Sequence, residues 1–89
     1  MSDGYRVEIE PPAWNAIMRL GKRDQERVLV AIEALEVAPR PSGVKKLEGV
    51  ANLYRVRVGD FRIIYTVDDG ALLVVIVTVG NRREVYKTR

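Results

Sequence analysis

The first part of the chain changes from a strand-like to a helix-like pattern of apolar residues. Residues 5–10 alternate between apolar and polar side chains, which predicts a β-strand with its apolar side chains turned inward. Pro11 and Pro12 end this strand, and Pro12 suits the first turn of a helix. We therefore expect a short helix over residues 13–20, which stops at Gly21.

A longer helical pattern follows and runs into a proline-rich loop. Apolar residues recur with a 3.6-residue period from Lys22 or Asp24 to Val37, which predicts an amphipathic helix. The prolines that follow bar its continuation, so residues 39–49 are expected to form a loop. The apolar residues assigned to the inner faces of the two helices are Trp14, Ile17, Met18, Val28, Ala31, Ile32 and Leu35.

Three strands and two tight turns account for most of the remaining pattern. Strands are predicted over residues 54–58, 61–67 and 71–79, with turns at 59–60 and 68–70. The last strand is apolar throughout, so we expect it to be central in the sheet and covered on both faces. The aromatic residues assigned to the core here are Tyr54, Phe61 and Tyr65.

This order of elements predicts the fold class. The order β-α-α-β-β-β indicates an α+β fold, with the two N-terminal helices packed on one face of an antiparallel sheet. The sequence contains no repeat, linker or low-complexity tract, and 89 residues suffice for one modest core. We therefore expect a single domain over residues 1–89.

Three arginines come together in the first hairpin. A two-residue turn at 59–60 sets a register in which Arg57 faces Arg62 and Arg55 faces Ile64. Strand alternation then places Arg55, Arg57 and Arg62 on one face of the sheet. Because like charges directly opposite each other destabilise a ladder, two opposed guanidiniums indicate an anion site, with phosphate as the first candidate.

Composition narrows the possible chemistry. The chain has no cysteine and no histidine, which excludes disulfides, zinc sites of the Cys/His type and histidine-based catalytic triads. We expect no cofactor and no metal. The N-terminus lacks the basic and apolar regions of a signal peptide, and the longest apolar run, residues 71–79, is too short to cross a bilayer as a helix. We therefore expect a cytoplasmic protein that does not associate with membranes.

The positive charge is concentrated in the second half of the chain. Residues 1–49 carry eight basic and eight acidic side chains, whereas residues 50–89 carry seven basic and four acidic ones. The net charge of +3 therefore belongs to the hairpin half, and the chain has 11 arginines against 4 lysines. Arginine favours planar, bidentate contacts to phosphate, but arginines also cover apolar surface on solvated faces. Charge alone leaves both interpretations open.

Four short segments, taken in order, resemble a known family. They are KKLEG at 45–49, LYRVR at 53–57, GDFRIIY at 59–65 and VGNRREVY at 79–86. Together they are similar to the RelE/ParE superfamily of toxins from type II toxin–antitoxin pairs, and the match covers nearly the whole chain. In this superfamily, RelE-type members cut mRNA in the ribosomal A site. ParE-type members share the fold, poison DNA gyrase and generally lack the basic catalytic cluster.

The resemblance also implies a catalytic set. Carried over by position, the family's basic and tyrosine residues favour the RelE type of activity, a metal-independent endoribonuclease. The best-studied family pattern has lysines at the two strand positions where this chain has arginine. The implied catalytic residues are Arg55, Arg57, Arg62, Arg82 and Tyr86.

Each implied residue type suits one part of RNA cleavage. Without a metal, the 2′-hydroxyl attacks the adjacent phosphate. Protein groups must then accept the proton of this hydroxyl, stabilise the dianionic phosphorane and protonate the leaving 5′-oxygen. Guanidiniums can hold the phosphate, but they cannot act as bases near neutral pH. Tyr86 is therefore the candidate for proton transfer, because nearby cations lower a phenol pKa from about 10. Alternatively, Tyr86 stacks on a nucleotide or is a half-buried anchor of the tail.

Further basic residues are candidates for contacts with RNA phosphates, although such residues are more often ordinary solvated surface. The expected partners are a cognate RelB-like antitoxin, the ribosome with its rRNA, and mRNA. Operator DNA is expected to bind only through the antitoxin complex. The candidate RNA-binding residues are Arg19, Lys22, Arg23, Arg27, Lys45, Lys46 and Arg83.

Two alternatives to the nuclease remain open at this point. One is a ParE-like inhibitor of DNA gyrase that cuts no RNA. The other is an inactive toxin that acts only as a binding module, regulating its operator together with the antitoxin. Transcript cleavage, DNA damage and the absence of growth arrest distinguish the three.

Overall fold

A computed structural model describes residues 4–41, 44–47, 49 and 52–81 of the chain. Its elements begin and end close to the predicted positions. The last strand starts two residues later than predicted, because Leu72 still belongs to the turn and has a positive φ of 53°. The elements are β1 Arg6–Ile9, α1 Pro11–Met18, α2 Lys22–Ala34, β2 Lys45–Lys46, β3 Leu53–Val58, β4 Phe61–Asp68 and β5 Leu73–Asn81.

The strands form one five-stranded sheet in the order β1-β5-β4-β3-β2. The α+β fold class is confirmed, with both helices preceding the hairpins as predicted. The ladders that join β2, β3, β4 and β5 are antiparallel, but β1 pairs with β5 in parallel, so the sheet is mixed. No tight hairpin constrains the direction of β1, because the rest of the fold separates it from β5. The short strand β2 lies inside the segment predicted as a loop.

The helices cover one face of the sheet and form the core with it. α1 contributes Ala13 and Ile17, and α2 contributes Val28 and Ile32, each pair spaced i and i+4 along its helix. The predicted inner face of α2 is thus confirmed at these two positions. The other buried apolar residues of the main core cluster are Leu35, Tyr54, Ile63, Tyr65, Val67, Val74, Ile76 and Val79.

The prediction for α1 was wrong at two positions. Trp14 and Met18 were expected in the core, but they are 44% and 45% exposed. They are four residues apart and so lie on the same side of the helix. Each follows a buried residue directly, so their side is rotated by about 100° around the helix axis from the buried side. The buried stripe carries Ala13 and Ile17, which are smaller than tryptophan and allow α1 to lie close to the sheet.

The strand buried on both faces is β4, not β5. Four consecutive residues of β4, from Arg62 to Tyr65, are buried, whereas the partly exposed Val75 and Val77 show that one face of β5 is incompletely covered. β5 is internal, as predicted, but it lies beside the edge strand β1. β4 is the middle strand of the five.

A β-bulge in β5 determines which residues share the helix-free face. Ile64 pairs with Thr78, but the next residue, Tyr65, pairs with Ile76, so Val77 is an extra residue in the ladder. Beyond the bulge the alternation of β5 is inverted. As a result Gly80 lies directly beside Arg62.

Candidate functional site

The first hairpin places its arginines as the sequence predicts. In the β3–β4 ladder, Arg57 lies opposite Arg62 and Arg55 lies opposite Ile64. The turn contains Gly59 with a φ of 58°, a left-handed conformation that glycine adopts without steric cost. The neighbouring Tyr54 is buried under the helices, so the three arginines occupy the helix-free face of the sheet.

Strand β2 adds one lysine to this face. Lys45 pairs with Arg55, whereas Lys46 pairs with Tyr54 and therefore belongs to the opposite face. Both lysines are exposed. The positive residues that share the helix-free face across three adjacent strands, here named the basic row, are Lys45, Arg55, Arg57 and Arg62.

Burial increases across the basic row toward the middle of the sheet. Lys45 and Arg57 are exposed, Arg55 is half-buried, and Arg62 is only 9% exposed. An arginine keeps its charge even when it is buried, because its delocalised guanidinium does not lose a proton in proteins. Since Gly80 has no side chain, the β5 side of Arg62 carries none at the paired position. This arrangement can hold an anion such as a phosphate over β4.

Arg57 also interacts with the turn beside it. Its Nε lies 3.5 Å from the carbonyl oxygen of Gly59, a long hydrogen bond. This contact orients the Nε of Arg57 toward the turn of the hairpin.

Three predicted site residues lie outside the described residues. These are Arg82, Arg83 and Tyr86, which follow the last described residue, Asn81. Their assignment therefore stays a prediction.

The predicted RNA-binding residues on the helices are exposed, and the structure does not gather them with the basic row. Arg19 ends α1 and lines a cleft of about 300 Å³ with Phe61, Gly80 and Asn81. Lys22 and Arg23 lie in the first turn of α2, on the helix-covered side of the sheet. Arg23 and Arg27 line a cleft with Val58 of the hairpin, and the guanidinium of Arg27 also lies against Gly59.

A second polar cluster, which the sequence did not reveal, lies at the other end of β3 and β4. The Nη1 and Nη2 groups of Arg40 donate to the two carboxylate oxygens of Asp69 at 3.2 and 2.8 Å, and Nε donates to the Tyr54 hydroxyl at 3.0 Å. The Tyr5 hydroxyl donates to the same carboxylate at 2.5 Å. Arg40 also lies 5.1 Å from the centre of the Tyr54 ring.

Tyr65 joins this cluster from inside the core. Its ring stacks on that of Tyr54 with centroids 5.9 Å apart, and its hydroxyl donates to the carbonyl oxygen of Pro39 at 2.7 Å. The cluster thus ties β1, the segment after α2, β3, β4 and the β4–β5 turn together. We name it the tyrosine network; its residues are Tyr5, Arg40, Tyr54, Tyr65 and Asp69.

The tyrosine network shifts the ionisation of its members. The hydrogen bond from Arg40, and then that from Tyr5, lower the pKa of Asp69. The hydrogen bond to the Asp69 carboxylate raises the pKa of Tyr5. Burial raises the pKa of Tyr65 to about 12. These tyrosines therefore stay neutral near pH 7, as suits groups that hold the fold.

The described residues contain no group of three or more metal-ligating side chains that could hold a metal ion. In the same part of the chain, no helix is long and apolar enough to cross a membrane.

Comparisons with known proteins identify relatives along the whole fold. Residues 7–86 match the family described as "ParE toxin of type II toxin-antitoxin system, parDE". The putative toxin RelE1 of Methanocaldococcus jannaschii is 29% identical over 86 residues, which cover 93% of this chain and 96% of that protein.

Solved structures agree with this relationship. The archaeal RelE–RelB complex from Pyrococcus horikoshii contains a chain with a TM-score of 0.80 and 36% identity, covering 89% of this chain and 96% of that one. In the toxin–antitoxin complex RelBE2 from Mycobacterium tuberculosis, the TM-score is 0.78 and the identity 27%, with 89% and 99% covered.

Proposed function

The chain belongs to the RelE/ParE superfamily of toxins from type II toxin–antitoxin systems, and we propose that it is a ribosome-dependent endoribonuclease of the RelE kind. The toxin assignment follows from the family match over residues 7–86 and from the relative at 36% identity. The nuclease activity, its residues and its partners are the proposal.

One observation carries the proposal. Arg57 and Arg62 lie directly opposite each other on the helix-free face, with Arg55 and Lys45 beside them on the same face. Two guanidiniums at paired positions can share the oxygens of one phosphate, and an anion between them offsets the repulsion of like charges on neighbouring strands. Gyrase inhibition gives no comparable reason for opposed guanidiniums on this face.

The proposed chemistry assigns the basic row to the phosphate. The 2′-hydroxyl of the nucleotide attacks its own 3′-phosphate, forming a dianionic phosphorane that Arg57 and Arg62 stabilise, with Arg82 as a further donor. The P–O bond to the leaving 5′-oxygen then breaks and this oxygen takes a proton from Tyr86 or from water, which yields a 2′,3′-cyclic phosphate and a 5′-hydroxyl. Arg55 contributes charge at the half-buried edge of this site.

The proton has to be moved by another group. Arginine does not deprotonate near pH 7, so the basic row cannot accept the proton of the 2′-hydroxyl. We assign this role, or the stacking of the nucleotide, to Tyr86. Cations nearby would favour its phenolate form by lowering its pKa from the ordinary value of about 10.

The proposed partners follow from the same assignment. The substrate is mRNA in the ribosomal A site, and Lys45 and the exposed arginines of the helices are candidates for contacts to RNA phosphates. The solved relatives from Pyrococcus horikoshii and Mycobacterium tuberculosis are complexes of a toxin with its antitoxin. We therefore propose a cognate RelB-like antitoxin as the partner that silences this chain, with operator DNA bound only through that complex.

A second candidate function is supported by the description of the matching family, which names the ParE toxins. In that case the chain inhibits DNA gyrase and cuts no RNA. Inducing the chain in cells and mapping the 5′ ends of transcripts together with DNA breaks separates the two candidates. Cuts at codons in translated messages support the nuclease, whereas DNA breaks without such cuts support gyrase inhibition.

The same experiment includes two variants. Arg57→Ala is expected to abolish growth arrest and transcript cuts. Arg6→Ala, which removes an exposed arginine of β1 paired with Glu8 at 3.4 Å, is expected to leave both unchanged. Induction of the unaltered chain without growth arrest would support the inactive binding module.

A further inference from the structure

One contact between α2 and the hairpin involves no member of the basic row. The guanidinium of Arg27 packs against Gly59. A Cβ atom placed on Gly59 would lie 2.6 Å from Nη2, 3.2 Å from Cζ and 3.3 Å from Nη1 of Arg27. Nη2 is the nearest of the three atoms, so the end of the guanidinium that carries the two terminal nitrogens lies closest to the glycine.

The same glycine is contacted from its other side by the basic row. Arg57 directs its Nε to the Gly59 carbonyl oxygen at 3.5 Å. Arg27 approaches from the helix layer, where it lines a cleft with Val58 of β3. Gly59 therefore lies between a guanidinium of α2 and one of the basic row.

Arg27 is itself held in place on α2. Its Nη1 lies 3.8 Å from a carboxylate oxygen of Asp24, one helical turn earlier. This exposed ion pair is weak, but it orients the guanidinium toward the hairpin and offsets part of its charge.

The hairpin tip needs such support for an electrostatic reason. Arg57 and Arg62 carry like charges at paired positions, and only the pair of Val58 with Phe61 separates them from the turn. Any opening of the turn changes the distance between the two guanidiniums. A phosphate held between them in the transition state depends on that distance, and a displacement of about 1 Å can cost roughly 100-fold in rate.

We propose that Arg27 is a positioning residue for the cleavage reaction: packed on Gly59 from α2, it fixes the turn that sets the spacing of Arg57 and Arg62. This inference rests on the proposed nuclease function. It changes the role of Arg27 from an RNA contact to a support of the hairpin.

The two roles predict different kinetics. The test is the rate of single-turnover cleavage of mRNA on programmed ribosomes, measured over a range of toxin concentrations. A positioning role predicts that Arg27→Ala lowers the maximal rate about tenfold and leaves the half-saturating concentration unchanged. An RNA contact predicts the reverse, with an unchanged maximal rate and a raised half-saturating concentration, and that result would overturn the inference.

Two further variants test the packing of Arg27 against Gly59. Lysine keeps the charge but lacks the guanidinium carbon and the second terminal nitrogen that lie against Gly59, so Arg27→Lys is expected to be as slow as Arg27→Ala. Full rescue by lysine would count against the inference. Gly59→Ala displaces Arg27 and also strains the turn, because alanine disfavours the φ of 58° at this position, so it is expected to slow cleavage. Adding Arg27→Ala to it is expected to cost little more. Additive losses would show that the two residues act independently.

Amide hydrogen exchange separates failure of this inference from failure of the proposed function. Exchange over residues 56–63 is expected to be several-fold faster in Arg27→Ala than in the unaltered chain or in Arg6→Ala, whether or not the chain cuts RNA. Unchanged exchange would overturn the inference and leave the nuclease proposal intact. If the unaltered chain does not cleave, both the nuclease and the positioning role are overturned, even if the exchange difference appears.

Discussion

The two ends of strand β3 use arginine in opposite ways. At one end, Arg40 donates to both oxygens of the Asp69 carboxylate and to the Tyr54 hydroxyl. At the other end, Arg57 faces Arg62 across the ladder. An arginine matched to its own carboxylate holds the fold, because its donors are used and its charge is balanced. Two opposed arginines concentrate positive charge and are suited to a ligand.

The two regions are mechanically connected although their roles differ. Tyr54 of the tyrosine network and Arg55 of the basic row are neighbours on β3 with side chains on opposite faces of the sheet. Tyr65 of the tyrosine network and Arg62 of the basic row both lie in β4, also with their side chains on opposite faces of the sheet. The tyrosine network therefore stabilises the strands from which the basic row projects, and changes in the two regions should affect different measurements.

The largest expected effect is on catalysis. Arg57→Ala and Arg62→Lys should each lower the rate of mRNA cleavage on programmed ribosomes by about 100-fold, because each removes or reshapes a donor to the transition state. Lysine is chosen at 62 because the side chain is buried and a truncation would leave a cavity. Arg40→Ala is the matched control from the tyrosine network. If it reduced the rate as much as Arg57→Ala, the division between the two regions would be wrong.

The next effect is on thermal stability, where Arg40→Ala should cause the larger loss and Arg57→Ala the smaller one. Arg40→Ala should lower the melting midpoint by about 5 °C, the shift that roughly 1 kcal/mol produces in a domain of this size. Arg57→Ala should leave the midpoint unchanged or raise it slightly, since it removes repulsion from Arg62. Thermal unfolding followed by circular dichroism measures both. Equal losses of stability in the two variants would contradict the comparison.

A smaller effect concerns alkaline pH. Burial raises the pKa of Tyr65 in the folded protein from 10.0 to about 12, so above pH 10 the unfolded chain ionises this phenol while the folded protein keeps it neutral. The stabilising contribution is complete below pH 10 and is lost as the pH rises toward 12. Urea unfolding at a series of pH values should show a less steep decline for Tyr65→Phe than for the unaltered chain. Equal declines of the free energy of unfolding in the two proteins would show that Tyr65 is not responsible for the loss of stability at alkaline pH.

The smallest effect distinguishes two adjacent lysines. Lys45 shares the face of Arg55 and Lys46 does not. We expect Lys45→Ala to reduce the slope of log affinity against log salt for RNA by about one, and Lys46→Ala to leave it unchanged. Filter binding across a salt series measures both slopes. Equal changes would mean that the helix-free face is not the surface that meets RNA.

The three arginines of the basic row were predictable because the rules behind their placement are local, whereas Lys45 was expected in a loop and lies in β2. A two-residue turn at Gly59 and Asp60 fixes the pairing of Arg57 with Arg62, and the structure has this register. The buried stripe of α2 followed from its period in the same way. The assignments of Arg82 and Tyr86 came from the family resemblance and stay predictions.

The rest depended on contacts between distant parts of the chain. Tyr5 and Asp69 are 64 residues apart in the sequence, and Arg40 and Asp69 are 29 residues apart. No local sequence pattern therefore predicts the tyrosine network. The placement of Gly80 beside Arg62 depends on a bulge that interrupts the alternation of β5. The parallel pairing of β1 with β5 likewise has no turn in the sequence to predict it.

One measurement tests the central claim that the basic row promotes attack by a 2′-hydroxyl. The purified chain is given ribosomes programmed with an mRNA that carries a single 2′-deoxynucleotide at the cut position, beside the unmodified message. Attack by the 2′-hydroxyl should cleave the unmodified message to a 2′,3′-cyclic phosphate and a 5′-hydroxyl, and should leave the message intact at the deoxynucleotide. Cutting at the deoxynucleotide, or products that carry a 5′-phosphate, would contradict it.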